Sequence, residues 1–296
     1  MKRKKPVSVA QTTLNLLDEP LAPLAGNTIR RPPSPDLRVG TSAFTAAGWP
    51  GTFYPAGMKP AEYLTHYATR FSTVEIDSTF YRCPSRSTVS GWANKTPEGF
   101  LIAAKVPQVI THEKCMKDCE AELREFVSSM ELLGDKLGPM LLQFGYFNKL
   151  FFKTDEDFLN RLVPFLKQLP KSHKFAIEIR NKNWLNEEFA DLLRKHNVAL
   201  VLQDQIWMPL PENMKFNYVT ADFTYVRLLG DRKGIEKQTK TWDEVIVNRS
   251  KELRNWVDVC ERTVKRGTST YVYVNNHYSG CGFKTAEQFE KLWKAK

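Results

Sequence analysis

Eight short apolar runs alternate with stretches of helical spacing from Leu37 to the C-terminus, and this alternation restricts the possible folds more than any other feature. The runs begin near Leu37 (L-R-V-G-T-S), Thr73 (T-V-E-I-D-S), Phe100 (F-L-I-A-A-K-V), Pro139 (P-M-L-L-Q-F), Phe175 (F-A-I-E-I-R), Val198 (V-A-L-V-L-Q-D), Phe223 (F-T-Y-V-R-L) and Tyr271 (Y-V-Y-V-N-N). Pro60 takes an N1-like position and opens the first predicted helix. Three-four spacing marks helices at Leu123–Leu133, Leu159–Leu169 and Phe189–Leu193, one long helix from Ile246 to Val264, and a last one at Phe289–Trp293. Strict alternation of strand and helix predicts a parallel sheet covered by helices. Eight units over residues 37–296 fit a TIM-like (β/α)8 barrel in a single α/β domain. A doubly wound sheet is the alternative, but the chain has neither a G-x-G-x-x-G turn nor a Walker loop.

Side chains alternate along a strand, so each run assigns its residues to two faces. In the second run Val74, Ile76 and Phe80 share one face, while Glu75, Asp77, Thr79 and Tyr81 share the other. In the fifth, Phe175, Ile177 and Ile179 oppose Ala176, Glu178 and Arg180. The apolar faces are expected to meet helices and the polar faces to point into the barrel, ending at its C-terminal mouth, where barrel enzymes place their chemistry. Lys105, Gln143, Asp204, Arg227, Asn275 and His277 end the other strands in the same way. A buried ion network would also account for the acids and bases, but buried ion pairs stabilise less than apolar packing, which favours a functional origin. The expected catalytic residues are Glu75, Glu178, Lys105, His112 and Asp204. Tyr81, Gln143, Arg180, Trp184, Arg227, Asn275 and Asn276 are expected to bind substrate. Trp49, Tyr81 and Trp184 are candidates for stacking walls.

The formal net charge of +10 favours an anionic partner, either a small molecule or nucleic acid. Arg and Lys would hold the anion while a carboxylate transfers protons. Metal-dependent hydrolysis on Glu75, Asp77, Glu178 and Asp204 is a third reading. Lysine and arginine intrude on that set, so no metal or other cofactor is expected. Cys115 and Cys119 have no second pair at zinc spacing. Five cysteines in a long chain indicate a reducing, cytoplasmic setting. No run approaches the about 18 apolar residues of a membrane span.

Residues 1–36, with K-R-K-K and R-R-P-P-S-P, are expected to form a flexible, disordered basic tail ahead of the barrel domain at 37–296. Within it Q-T-T-L-N-L-L, Gln11–Leu17, resembles the peptide that docks on bacterial sliding clamps; a chance run of leucines is the alternative. Lys2–Lys5 would serve equally as a nuclear-localisation patch or a phosphate-binding arm.

Taken in order, the motifs resemble the YecE-like family, domain of unknown function 72. They are V-G-T-S-A-F with G-W-P-G-T-F-Y-P, F-S-T-V-E-I-D-S-T-F-Y, A-A-K-V-P-Q-V-I-T-H, L-G-P-M-L-L-Q-F, F-A-I-E-I-R-N-K-N-W, Y-V-R-L-L-G and V-Y-V-N-N-H-Y-S-G. The resemblance implies a TIM-like barrel with a polar rim and supplies no reaction. Comparison with endonuclease-IV-like barrels is an analogy of fold; it leaves a nucleic-acid-associated binding protein as the alternative to a hydrolase or phosphoesterase-like enzyme. Two positions depart from the family pattern: Asp77 stands where Asn is usual, and Leu229 where a His precedes the glycine of Y-V-R-x-x-G.

Overall fold

The computed structural model describes residues 37–296. The expected tail and Gln11–Leu17 lie outside them. Eight parallel strands roll into a nearly closed barrel: β1 (Leu37–Thr41), β2 (Thr73–Ile76), β3 (Leu101–Lys105), β4 (Leu137–Gln143), β5 (Phe175–Glu178), β6 (Ala199–Gln205), β7 (Phe223–Gly230) and β8 (Ser269–Val274). Hydrogen-bonded neighbours run in the order β1-β8-β7-β6-β5-β4-β3-β2. β1 and β2 are therefore the two edges of the rolled sheet, and they meet without a ladder. The Tyr67 hydroxyl stitches this seam. It accepts from Thr41 N at 2.8 Å and reaches Thr73 O at 3.3 Å. Gly40 is required there, because a Cβ at that position would lie 2.1 Å from Thr73 O.

The helices are α1 (Tyr63–Tyr67), α2 (Arg86–Lys95), α3 (Glu120–Met130), α4 (Asp155–Leu166), α5 (Glu187–Lys195), α6 (Arg232–Glu236), α7 (Ser250–Lys265) and α8 (Gly282–Lys294). Side chains from the sheet's outer face and the helices form the large core, including Val74, Ile76, Ile177, Leu200, Val226 and Val272. A second apolar cluster fills the barrel. Tyr225, Phe223, Tyr271 and Tyr273 project from β7 and β8 towards Ala103, Ala176 and Ala199 of β3, β5 and β6. Large residues on one arc and small ones on the other pack the interior, so the barrel is filled rather than an open pore.

Three sequence expectations need correction. Alternation is not strict: between β6 and β7 the chain forms only a 3-10 turn, Pro211–Asn213, while α6 and α7 both lie between β7 and β8. α2 carried no helical signal because Val89 is its only buried residue, and its start depends on the Ser85 hydroxyl accepting from Thr88 N. Ile246 is not part of the long helix. Asn248 Oδ1 accepts from the backbone N–H and hydroxyl of Ser250, and the helix starts there.

Candidate active site

The C-terminal ends of β2 through β8 surround a pocket of about 1100 Å³. A chain of charged side chains forms its floor. Arg227 on β7 donates from Nη2 to Glu75 Oε1 on β2 and from Nη1 to Glu178 Oε2 on β5, both at 2.7 Å. The Tyr225 hydroxyl donates to Glu75 Oε2 at 2.6 Å. Arg180 Nε donates to Glu178 Oε1 at 2.7 Å. Glu75 and Glu178 are fully buried, and every carboxylate oxygen of the pair has a charged or hydroxyl donor. Two carboxylates and two guanidiniums balance in charge. Such a network holds its members in fixed positions and leaves its carboxylates little freedom to carry protons. Arg227 Nε and Gln203 Oε1 are the exceptions: both are buried without a partner among the described residues, on register-paired positions of β6 and β7.

Burial opposes the charge on Glu178, but Arg180 and Arg227 outweigh it and hold its carboxyl at about 2. The pocket wall is tuned differently. Burial, reinforced by the negative charge of Glu75, raises Asp77 to about 6. Burial and the nearby Arg227 lower the Lys105 ammonium to about 8. Lys105 Nζ sits 3.8 Å from the centroid of the Phe80 ring, a cation–π contact. Asp77 and Lys105 both line the pocket, and their displaced pKa values bracket neutrality.

The amide of Asn181 positions one rim loop. It accepts from Phe147 N at 2.9 Å and donates to Phe147 O at 2.8 Å. This clamp fixes the segment after β4, which brings Tyr146 and Lys149 to the pocket. Trp184 supports it through stacked contacts with Phe147 and Phe158.

The structure brings Lys105, Gln143, Arg180, Trp184, Arg227, Asn275, His277 and Tyr81 to the pocket, with Glu75 and Glu178 beneath it. It separates others. Asp204 faces away from the barrel and accepts from Trp256 Nε1 at 2.7 Å and the Tyr278 hydroxyl at 2.9 Å. The inward residues of β6 are Val201 and Gln203, so strand parity turns Asp204 towards the helices. Asn276 Oδ1 accepts from Gly282 N at the start of α8 and does not line the pocket. His112 lies one layer out, its ring edge-on to Phe80 and its Nδ1 2.8 Å from the Thr111 hydroxyl. Burial, Lys105 and Arg180 lower its pKa. Trp49 is wholly buried and donates to Trp242 O, so it is core and not a wall. Asp77–Phe80 is a 3-10 turn, which ends the face on which Thr79 and Tyr81 were placed. Thr79 instead donates to Lys105 O, and Tyr81 stands at the rim. With Asp204 turned outward and Glu75 and Glu178 held by arginines, the four acids of the metal reading do not converge.

Sequence reasoning missed Asn181, Gln205, Tyr146, Lys149 and Trp207 as pocket residues. Asn181 had a signal, the polar N-K-N-W run directly after β5. Gln205 is the last residue of β6, and Tyr146, Lys149 and Trp207 sit on loops without periodicity.

The fold and the site together define an eight-stranded α/β barrel protein with a charged pocket at the C-terminal mouth. The profile of the family described as "Protein of unknown function DUF72" matches residues 38–296, and the chain belongs to that family. It is 30% identical over 118 residues to the UPF0759 protein YecE of Escherichia coli K12; that match spans 40% of this chain and 41% of YecE. A DUF72 family protein of Thermotoga maritima superposes with a TM-score of 0.70 at 27% identity, covering 88% of this chain and 99% of that one. One from Enterococcus faecalis superposes with a TM-score of 0.66 at 23% identity, covering 87% and 95%, and attests the same fold. No helix among the described residues is long and apolar enough to cross a membrane.

Proposed function

We propose that the barrel mouth is the active site of an enzyme that binds a phosphate-bearing anion and acts on it by general acid–base catalysis, Asp77 accepting a proton from the reacting groups and Lys105 donating one to them. The observation that carries this reading is the pairing of those two groups, tuned to about 6 and about 8, inside one cation-lined pocket. Efficient general acids and bases have pKa values near the working pH. At pH 7 Asp77 is mostly a carboxylate able to accept a proton, and Lys105 mostly an ammonium able to donate one. Lys105, Lys149, Lys153 and Lys182 line the pocket against Asp77, beyond the arginines that carboxylates already balance, a field that draws anions in.

This reading moves the acid–base role from the expected Glu75 and Glu178 to Asp77. Glu178, held at about 2, stays ionised and fixes Arg180 and Arg227 in place. The test is a panel of phosphomonoesters and phosphodiesters incubated with the protein and with Asp77→Asn and Lys105→Met. Turnover that drops at least a hundredfold in both variants supports the assignment. Unchanged turnover in Asp77→Asn ends it, and so does a panel in which no phosphate-bearing compound is bound or converted.

A further inference from the structure

Three aromatic side chains stand largely in water around the mouth. Tyr81, Tyr146 and Trp207 are 74%, 73% and 73% exposed, and all three line the pocket. They come from the loops after β2, β4 and β6, so each contributes a ring from a different side of the opening. Single exposed apolar residues are common, but three rings around one pocket form a patch of the kind that marks a binding site. Lys149, Lys153 and Lys182 line the same pocket, and none of their ammonium groups is paired with a carboxylate among the described residues. The pocket, at about 1100 Å³, lies at the upper end of the roughly 300–1,000 Å³ of small-molecule sites.

We propose that this rim binds single-stranded nucleic acid, with bases stacked on Tyr81, Tyr146 and Trp207 and phosphates held by the lysines between them. The proposal rests on the anion-binding reading of the same pocket and names its substrate class. Cations alone would suit any polyanion. The rings add a preference for ligands that alternate charge with flat faces, which is how aromatic platforms along a basic groove hold single strands. Binding of this kind tolerates sequence variation and weakens as salt displaces the phosphate contacts. A free nucleotide presents the same chemistry in one unit, whereas three separated rings fit several consecutive units.

The test uses the full chain and three probes: a labelled oligodeoxythymidine of about 12 nucleotides, thymidine monophosphate, and inorganic polyphosphate as a polyanion without rings. Affinities are read by anisotropy and competition at about 50 mM salt and upward. The expected result is oligonucleotide binding that is tighter than binding of the monophosphate and falls with salt. Each of Tyr81→Ala, Tyr146→Ala and Trp207→Ala should weaken it at least fivefold and leave polyphosphate affinity within twofold. Equal affinity for the monophosphate overturns the strand and assigns the site to a free nucleotide. Polyphosphate binding with all three variants holding the oligonucleotide like the parent overturns the stacking proposal, whether the anions sit in the pocket or on the basic residues 1–36. If no probe binds, the strand proposal falls, and the anion reading is decided by the panel of phosphate esters. Self-association abolished by the same substitutions, without oligonucleotide affinity, makes a second copy the occupant and overturns the proposal.

Discussion

Arg227 Nη2 reaches Glu75 Oε1 at 2.7 Å from β7 to β2, strands that are not neighbours in the sheet. The bond crosses the barrel interior, and the same guanidinium bonds Glu178 at the end of β5. One side chain therefore ties three separated strands directly beneath the pocket.

Removing the centre of this network should be costly. Arg227→Met leaves two buried carboxylates without their shared cation and is expected to lower unfolding free energy by about 3–5 kcal/mol. Glu75→Gln/Arg227→Met should recover a large part of that loss, since the carboxylate and guanidinium that remain, Glu178 and Arg180, balance each other. Urea denaturation of both proteins checks it; a double variant no more stable than the single one rules out uncompensated charge as the cause.

Glu178 should contribute to acid sensitivity. Its folded pKa of about 2 lies below the ordinary 4.5. The stability it provides is fully present above about pH 4.5 and disappears as pH falls through 2. Glu178→Gln should be less stable than the parent at pH 7, and the gap should close towards pH 2. Denaturant midpoints measured across that range decide it.

Asp77 has the opposite sign. Its folded pKa of about 6 lies above 3.8, so between those values the folded state retains a proton that the unfolded chain has released. Its contribution to stability therefore declines as pH rises through that window. Asp77→Asn should flatten this part of the profile and stabilise the protein at pH 7, with an upper bound of about 3 kcal/mol. A variant no more stable at pH 7 than the parent contradicts the assignment.

The two pocket groups should also appear directly in titrations. Carboxyl carbon NMR should place the Asp77 midpoint near 6, and methylated-lysine NMR the Lys105 midpoint near 8. Where turnover is found, its rate should rise through the first value and fall through the second. In the residual turnover of Asp77→Asn the acid limb should be missing and the alkaline limb kept.

The Asn181 clamp predicts a local effect. Asn181→Ala frees the backbone N–H and C=O of Phe147, which is expected to cost about 1–3 kcal/mol. Hydrogen exchange should speed up in residues 144–154 more than in the strands. Uniform acceleration throughout the barrel would mean that the clamp supports the whole fold and not this loop.

The barrel was legible because its strands repeat a period-two pattern between helical stretches, and Glu75, Glu178 and Arg227 lie on the faces that parity assigns. Parity also explains the failure at Asp204. Its place near the strand's end suggests an inward side chain, but Val201 and Gln203 already occupy that face. Asn276 failed because alternation stops where β8 ends, and its side chain turns to cap α8. The Asp77 turn hid the boundary of β2 within a run that still alternates in sequence. The roles of Asp77 and Lys105 depend on burial and on charges brought from other strands, which no local pattern encodes. The rim aromatics were illegible for a similar reason: loop position, not sequence, decides whether a tryptophan is buried like Trp49 or exposed like Trp207.

The seam between β1 and β2 bears on how the protein is made. β1 has β8 as its ladder partner, with Leu37 opposite Thr270 and Thr41 opposite Val274. At roughly 5–20 residues per second, synthesis separates the two strands by about 10–50 seconds. During that interval V-G-T leaves the ribosome with its backbone groups unpaired, and β2 offers it contact through Tyr67 but no ladder. The first of the described strands to be translated is thus among the last to be paired, and a nascent chain stalled before β8 would expose it to chaperones or to neighbouring chains.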